Sequence, residues 1–240
     1  MAARPVSIDV DAEKRVTGLL LAPPDPRGCY VLAHGAGAGM THPFMAAVAD
    51  GLNRRGIATL RFQFPYMEQG GKKPDAPRLA QTTVRAAVAE ASRLLPDLPL
   101  IAGGKSFGGR MTSQAQAASP LPGVRGLAFL GFPLHASGRP SDERAAHLCE
   151  IEIPMLFLQG SRDALAGVEL MRALVRKLGK RATLVLLGAR IIPGMCAAAR
   201  DARIKMLWRR RSMRSRPGPA PCSRRYFSGG RGCGASTTVA

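Results

Sequence analysis

Seven short, mostly apolar runs, separated by longer stretches of helical periodicity and punctuated by glycine and proline, leave this chain few ways to fold. The runs are Val16 to Leu21, Cys29 to Ala33, Ile57 to Phe62, Leu98 to Ala102, Val124 to Leu130, Met155 to Leu158 and Ala182 to Leu187. Near-continuous apolarity, rather than alternation with polar residues, marks strands buried on both faces, as in a parallel sheet. Between them, Pro43 to Arg55 carries Phe44, Val48 and Leu52 at a spacing of four and stops at Gly56, which reads as a helix. Leu79 to Leu95, ended by Pro96, reads the same way, as do Met111 to Ala118, continuing a helix begun near Ser106, and Leu165 to Leu178. The expected class is α/β, a mostly parallel central sheet with helices on both faces. At 240 residues the chain has room for one such domain and a sizeable core.

The net charge of +19 is unevenly spread. Residues 1–187 hold 23 basic and 15 acidic residues, a balance of +8, while residues 188–240 hold 12 basic and one acidic, a balance of +11. The chain is therefore expected to divide into a folded domain, 1–187, and a basic tail, 188–240, that is disordered or out of frame. The tail has arginine but few aromatics (Trp208, Tyr226, Phe227) and no recognisable binding module, which argues against nucleic acid as a partner. Cys29, Cys149, Cys196, Cys222 and Cys233 are odd in number and scattered, so neither a disulfide framework nor a metal site is expected. A cytoplasmic location is expected from that usage and from an N-terminus without a signal-like apolar run, and no stretch is long enough to span a membrane. Nothing in the sequence speaks to oligomeric state.

Chemistry is expected beyond the carboxyl ends of the strands. Gly104-Lys105-Ser106-Phe107-Gly108 fits G-x-S-x-G, between an apolar strand and a helix, the context of a nucleophile elbow. Such a turn lifts the Ser106 hydroxyl above the sheet and offers the Phe107 N–H to an oxyanion. Two phosphate-binding readings fail by counting: a P-loop needs glycine where Pro99 stands, and a dinucleotide fingerprint needs it where Met40 stands. His34-Gly35-Ala36-Gly37-Ala38-Gly39 comes directly after the strand ending at Ala33, where the other half of an oxyanion hole is expected, with Ala36 as donor and His34 holding the loop. Asp163, in Gln159-Gly160-Ser161-Arg162-Asp163, fits the acid that orients a histidine, or else caps a helix from Ala164 onward. His135 is expected to shape the pocket, while His42 and His147 read as loop and helix-surface residues. Lys72, Lys73, Lys105 and Arg110 near the site suit an anionic substrate or an ordinary solvated surface.

The stretches "LAHGAGAGMTHPFM", "LRFQFPYMEQGGKKPD", "GGKSFGGRM", "FLGFPLHASGRP" and "IPMLFLQGSRDAL" together resemble the α/β-hydrolase-like proteins that include testis-expressed and NSL-complex regulatory-subunit homologues, related to dienelactone hydrolases. The resemblance implies the α/β-hydrolase fold, a Ser-Asp-His triad containing Ser106 and Asp163, acyl transfer on a small-molecule ester or thioester-like carbonyl, and no cofactor. A non-catalytic interaction protein on the same fold is the alternative.

The family pattern places its histidine in "GADHS" after the last strand, where this chain has Gly188-Ala189-Arg190-Ile191-Ile192-Pro193-Gly194-Met195-Cys196. No histidine stands there. Reading the permitted codons of Arg190 to Cys196 one base earlier allows Asp-His-Ser-Trp-His-Val, so a frame change near Gly188 accounts for the missing group and for the arginine- and proline-rich tail. The normal last helix is then lost as well. Some four buried aliphatic side chains at ~1.5–3 kcal/mol each amount to ~6–12 kcal/mol, a domain's whole stability, so the chain as written is expected to be inactive or impaired and to aggregate.

Overall fold

In the computed structural model, which describes residues 2–188, the apolar runs become strands because each is shielded on both faces once the sheet forms. Strands β1 (Arg4–Asp9), β2 (Arg15–Leu21), β3 (Cys29–Ala33), β4 (Ala58–Phe62), β5 (Leu100–Lys105), β6 (Val124–Leu130), β7 (Met155–Gly160) and β8 (Ala182–Leu187) make one eight-stranded sheet. Their order is β1-β2-β4-β3-β5-β6-β7-β8. From β4 to β8 every neighbour is parallel, whereas β1 and β2 form an antiparallel flank. All five residues of β3 and of β4 are buried, as their apolarity requires.

Helices α1 (Pro43–Asn53), α2 (Pro65–Glu68), α3 (Pro77–Leu94), α4 (Phe107–Ala118) and α5 (Val168–Leu178) connect the strands. Cys29, Val31 and Ala33 of β3 join one core cluster with Val84, Val88, Met111, Ala115, Met171 and Leu174, so α3, α4 and α5 cover that face. Tyr30 and Leu32 point the other way and join Met45 and Val48 of α1. The sheet is thus sandwiched, as expected. Its β8 edge is half-buried along most of its length.

Several expectations are corrected. Strand β1 was not anticipated, because Arg4–Asp9 is polar and pairs with β2 only at the solvated sheet edge. Strand β5 starts at Leu100, not Leu98, and runs on through Gly103 and Gly104, whose missing side chains had concealed their strand character. Helix α5 begins at Val168 with Gly167 at its N-cap, three residues later than Leu165, so Asp163 is not the cap of a helix starting at Ala164. A 3-10 helix, Glu143–Glu150, also escaped the periodicity. The basic tail, the proposed frame change beyond Gly188 and the lost last helix lie outside the described residues.

Candidate active site

The site is built on the end of β5. Gly103 and Gly104 adopt φ of +154° and +158°, and a Cβ at either would strike the Ala128 or the Ala33 carbonyl of the flanking strands. A Cβ on Gly108 would fall 2.7 Å from the Ala33 Cβ, and one on Gly109 2.7 Å from the Gly104 oxygen. Only glycine lets β5 run so close to β3 and β6 and turn at once into α4. Between them Ser106 takes φ 47° and ψ −111°, the one non-glycine residue with positive φ among the described residues. Such a conformation costs ~1–3 kcal/mol and is kept where the fold over-determines it. Ser106 is half-buried, and its N–H donates to the Leu130 oxygen at 3.3 Å.

The carboxyl ends of β3, β5, β6 and β7 lie in register, with Ala33 beside Gly104, Lys105 beside Leu130 and Leu130 beside Leu158. The loops leaving these strands therefore gather on one edge of the sheet. Gly131, just past Leu130, lies so near Asp163 that a Cβ there would sit 3.4 Å from Oδ2. Ser106 and Asp163 consequently stand on either side of Leu130-Gly131. The Asp163 carboxylate is held at both oxygens: Gln159 Nε2 donates to Oδ2 at 2.7 Å and the Leu165 N–H to Oδ1 at 2.9 Å. On the other flank the His34–Gly39 loop closes over the elbow, and a Cβ on Gly35 would lie 3.9 Å from that of Ser106. Ala36 is exposed there, and Phe107 is half-buried at the first position of α4, where a backbone N–H has no partner within the helix.

Residues 26–189 match the model of the alpha/beta hydrolase domain family. This chain belongs to that family. The hydrolase domain is similar in fold to an alpha-beta serine hydrolase homologue from Coxiella burnetii, with a TM-score of 0.69, 17% identity, and coverage of 86% of this chain and 98% of that one. It is similar also to the dienelactone hydrolase from Anabaena variabilis (TM-score 0.67, 21% identity, covering 86% and 95%) and to Est1E from Butyrivibrio proteoclasticus (0.64, 18%, 86% and 98%). Among curated proteins, none matches the chain.

All four histidines of this chain lie among the described residues, and none is hydrogen-bonded to Ser106 or Asp163 there. His34 is fully buried: its Nδ1–H donates to the Gly35 oxygen at 2.8 Å and its Nε2 accepts from the Phe64 N–H at 3.0 Å. Burial pushes its pKa down, so it is a neutral strut tying the loop after β3 to the loop after β4. His135, also buried, donates Nδ1–H to the Ala136 oxygen, while its backbone N–H donates to the Leu165 oxygen at 3.2 Å. It therefore braces the Asp163 turn. His42 caps α1 by accepting from the Phe44 N–H, as suits a loop residue. His147 is not the helix-surface residue expected: it is half-buried, with Nε2 2.7 Å from Ser113 Oγ, because the 3-10 helix turns it against α4. The Lys105 ammonium lies over the Phe44 ring at 5.0 Å, while Lys72 and Lys73 are exposed.

The most informative residue missed in the sequence is Gln159. It is fully buried at the end of β7, and while its Nε2 holds Asp163 its Oε1 accepts from the Phe132 N–H at 2.8 Å. A polar amide after four apolar strand residues was the available signal. No cluster of three or more metal-ligating side chains occurs among the described residues, and none of their helices is long and apolar enough to cross a membrane.

Proposed function

We propose that this protein derives from a serine hydrolase acting on an ester or thioester-like carbonyl of a small molecule, with Ser106 as nucleophile. The strained backbone of Ser106 carries the reading, since it pushes one hydroxyl out at the head of α4, and strain of this kind clusters where a side chain must be presented for chemistry. In the mechanism Ser106 Oγ attacks the carbonyl carbon as a histidine removes the hydroxyl proton. Asp163, already fixed by Gln159 and Leu165, orients that histidine through its ring N–H. The N–H groups of Ala36 and Phe107 take up the oxyanion. The histidine returns the proton to the leaving group, and water then releases the acyl chain from Ser106. Its expected setting is the cytoplasm.

With no histidine on Asp163, the chain as written keeps only the nucleophile and the oxyanion donors, and turnover is expected to be lower by ~10³-fold or more than in a form with the Asp-His-Ser-Trp-His-Val frame restored. A fluorophosphonate probe tests this. Labelling should be weak in the written chain, strong with the restored frame, and absent in Ser106→Ala. The same lack of a histidine on Asp163, whose oxygens are taken by Gln159 and the Leu165 N–H, favours a second reading, a non-catalytic interaction protein. Failure of the restored form to label would decide for that alternative.

A further inference from the structure

The loop that follows β3 is made of residues that cannot hold it still. Gly35-Ala36-Gly37-Ala38-Gly39 alternates glycine with alanine, and glycine has the widest backbone freedom of any residue. Gly37 takes φ +74°, and a Cβ there would touch nothing within 4 Å. Within these five residues the one backbone bond, from the Ala38 N–H to the Gly35 oxygen at 3.5 Å, is too long to fix a conformation. Ala36 and Gly37 are exposed, whereas Gly35 and Met40 at the two ends are buried.

Order reaches the loop from the end of β4. Leu60 and Phe62 join the core cluster beneath α3 and α4, so Arg61 between them points to the opposite face, and Gln63 follows two residues on. Both side chains end on Met40. Arg61 Nη1 donates to the Met40 oxygen at 3.0 Å, and Gln63 Oε1 accepts from the Met40 N–H at 2.9 Å. One residue further, the Phe64 N–H donates to His34 Nε2 at 3.0 Å. Residues 61–64 therefore grip the loop on both sides, at His34 before it and at Met40 after it, and leave its middle untouched.

Two details show that the grip is built for this purpose. A Cβ on Gly39 would fall 2.9 Å from Gln63 Oε1, so a side chain there would displace the amide from Met40. The Gln63 N–H in turn donates to the Thr17 oxygen at 2.9 Å, which fastens the base of that amide to β2. Arg61 is only 5% exposed, forms no ion pair among the described residues, and has a buried Nε without a hydrogen-bond partner. Such a charge weakens a sheet face that an apolar residue would fill at lower cost. What the guanidinium supplies is a charge-assisted bond to one carbonyl at the end of the loop.

We propose that Arg61 and Gln63 are positioning residues of the oxyanion hole, holding Met40 so that the Ala36 N–H stays aimed at the carbonyl oxygen above Ser106. The inference rests on the reading of Ser106 as nucleophile and Ala36 as donor. Both side chains act through the loop rather than on the substrate. A donor stabilises developing charge only when it is in place beforehand, so freeing one end of a glycine-rich loop lowers the rate more than it weakens substrate binding.

The test uses the full-length, frame-restored chain with p-nitrophenyl butyrate as substrate and hydrogen exchange of the Ala36 and Gly37 amides as a second readout. Gln63→Leu and Arg61→Met should each lower kcat about tenfold or more and leave KM within about twofold. Exchange of the two amides should quicken about tenfold in the same variants. Gln63→Glu, which keeps an acceptor for the Met40 N–H, should stay within about threefold of the unsubstituted enzyme in kcat. Should Arg61→Met fail to fold, Gln63→Leu, at a half-buried position, decides the matter. Unchanged exchange would overturn the proposal. So would an unchanged kcat, a rise in KM with kcat kept, or equal losses in Gln63→Leu and Gln63→Glu. Turnover by the restored chain with no difference among the variants defeats this inference alone; a restored chain that neither turns over nor labels with fluorophosphonate defeats the hydrolase reading and the inference with it.

Discussion

The Ser106 backbone holds strain that a single substitution can release. In the frame-restored chain, Ser106→Gly, which accepts φ 47° without strain, is expected to raise stability by ~1 kcal/mol in urea unfolding while abolishing fluorophosphonate labelling. The neighbouring glycines behave oppositely. Gly104→Ala forces a Cβ onto the Ala33 carbonyl between two central strands and should cost ~3 kcal/mol or more by the same measurement. Gln159→Ala leaves the Phe132 N–H without its partner, a loss of ~1–3 kcal/mol, and frees one oxygen of Asp163. In the histidine-restored form it should lower kcat more than it raises KM, because it loosens the acid that orients the base. Glycine spacing made the elbow legible from residues alone. The Gln159 role was not, since it depends on Phe132, which lies on the next strand's loop.

Between elements, the seam of α4 and the 3-10 helix governs acid response. His147 has its pKa lowered to about 4, first by burial and then by the Arg110 charge. The folded chain therefore resists a proton that the unfolded chain accepts near pH 6.5, so stability falls as pH drops from ~6.5 to ~4 and His147 contributes no further slope below that. With its partial solvent access the loss should be ~1–2 kcal/mol. Urea unfolding of the frame-restored chain at pH 7 and pH 4.5 should show this difference, and a smaller one with His147→Gln, which keeps a hydrogen bond to Ser113 but does not titrate. Strand and helix existence was readable from apolar period. The 3-10 helix was not, because its eight residues carry too little periodic apolarity to stand out from a loop.

As a whole, the described domain covers one sheet face with α3, α4 and α5 and the other with α1. The restored frame is expected to supply both the missing histidine and a further helix, and it should convert an aggregating chain into one with a cooperative calorimetric transition and low light scattering. A sharp reversible transition in the written chain would refute this. Strand identities, the parallel sheet, the elbow and the need for glycine around it could all be read along the chain, because backbone sterics and side-chain period act over a few neighbouring residues. Tertiary structure alone decided that His34 is a neutral strut on the Phe64 N–H, that His147 is turned against Ser113 and that Gln159 is anchored by the Phe132 N–H. Those roles arise from contacts between segments ~30 residues apart in the chain, brought together by strand order and crossover, and no local pattern encodes such a meeting.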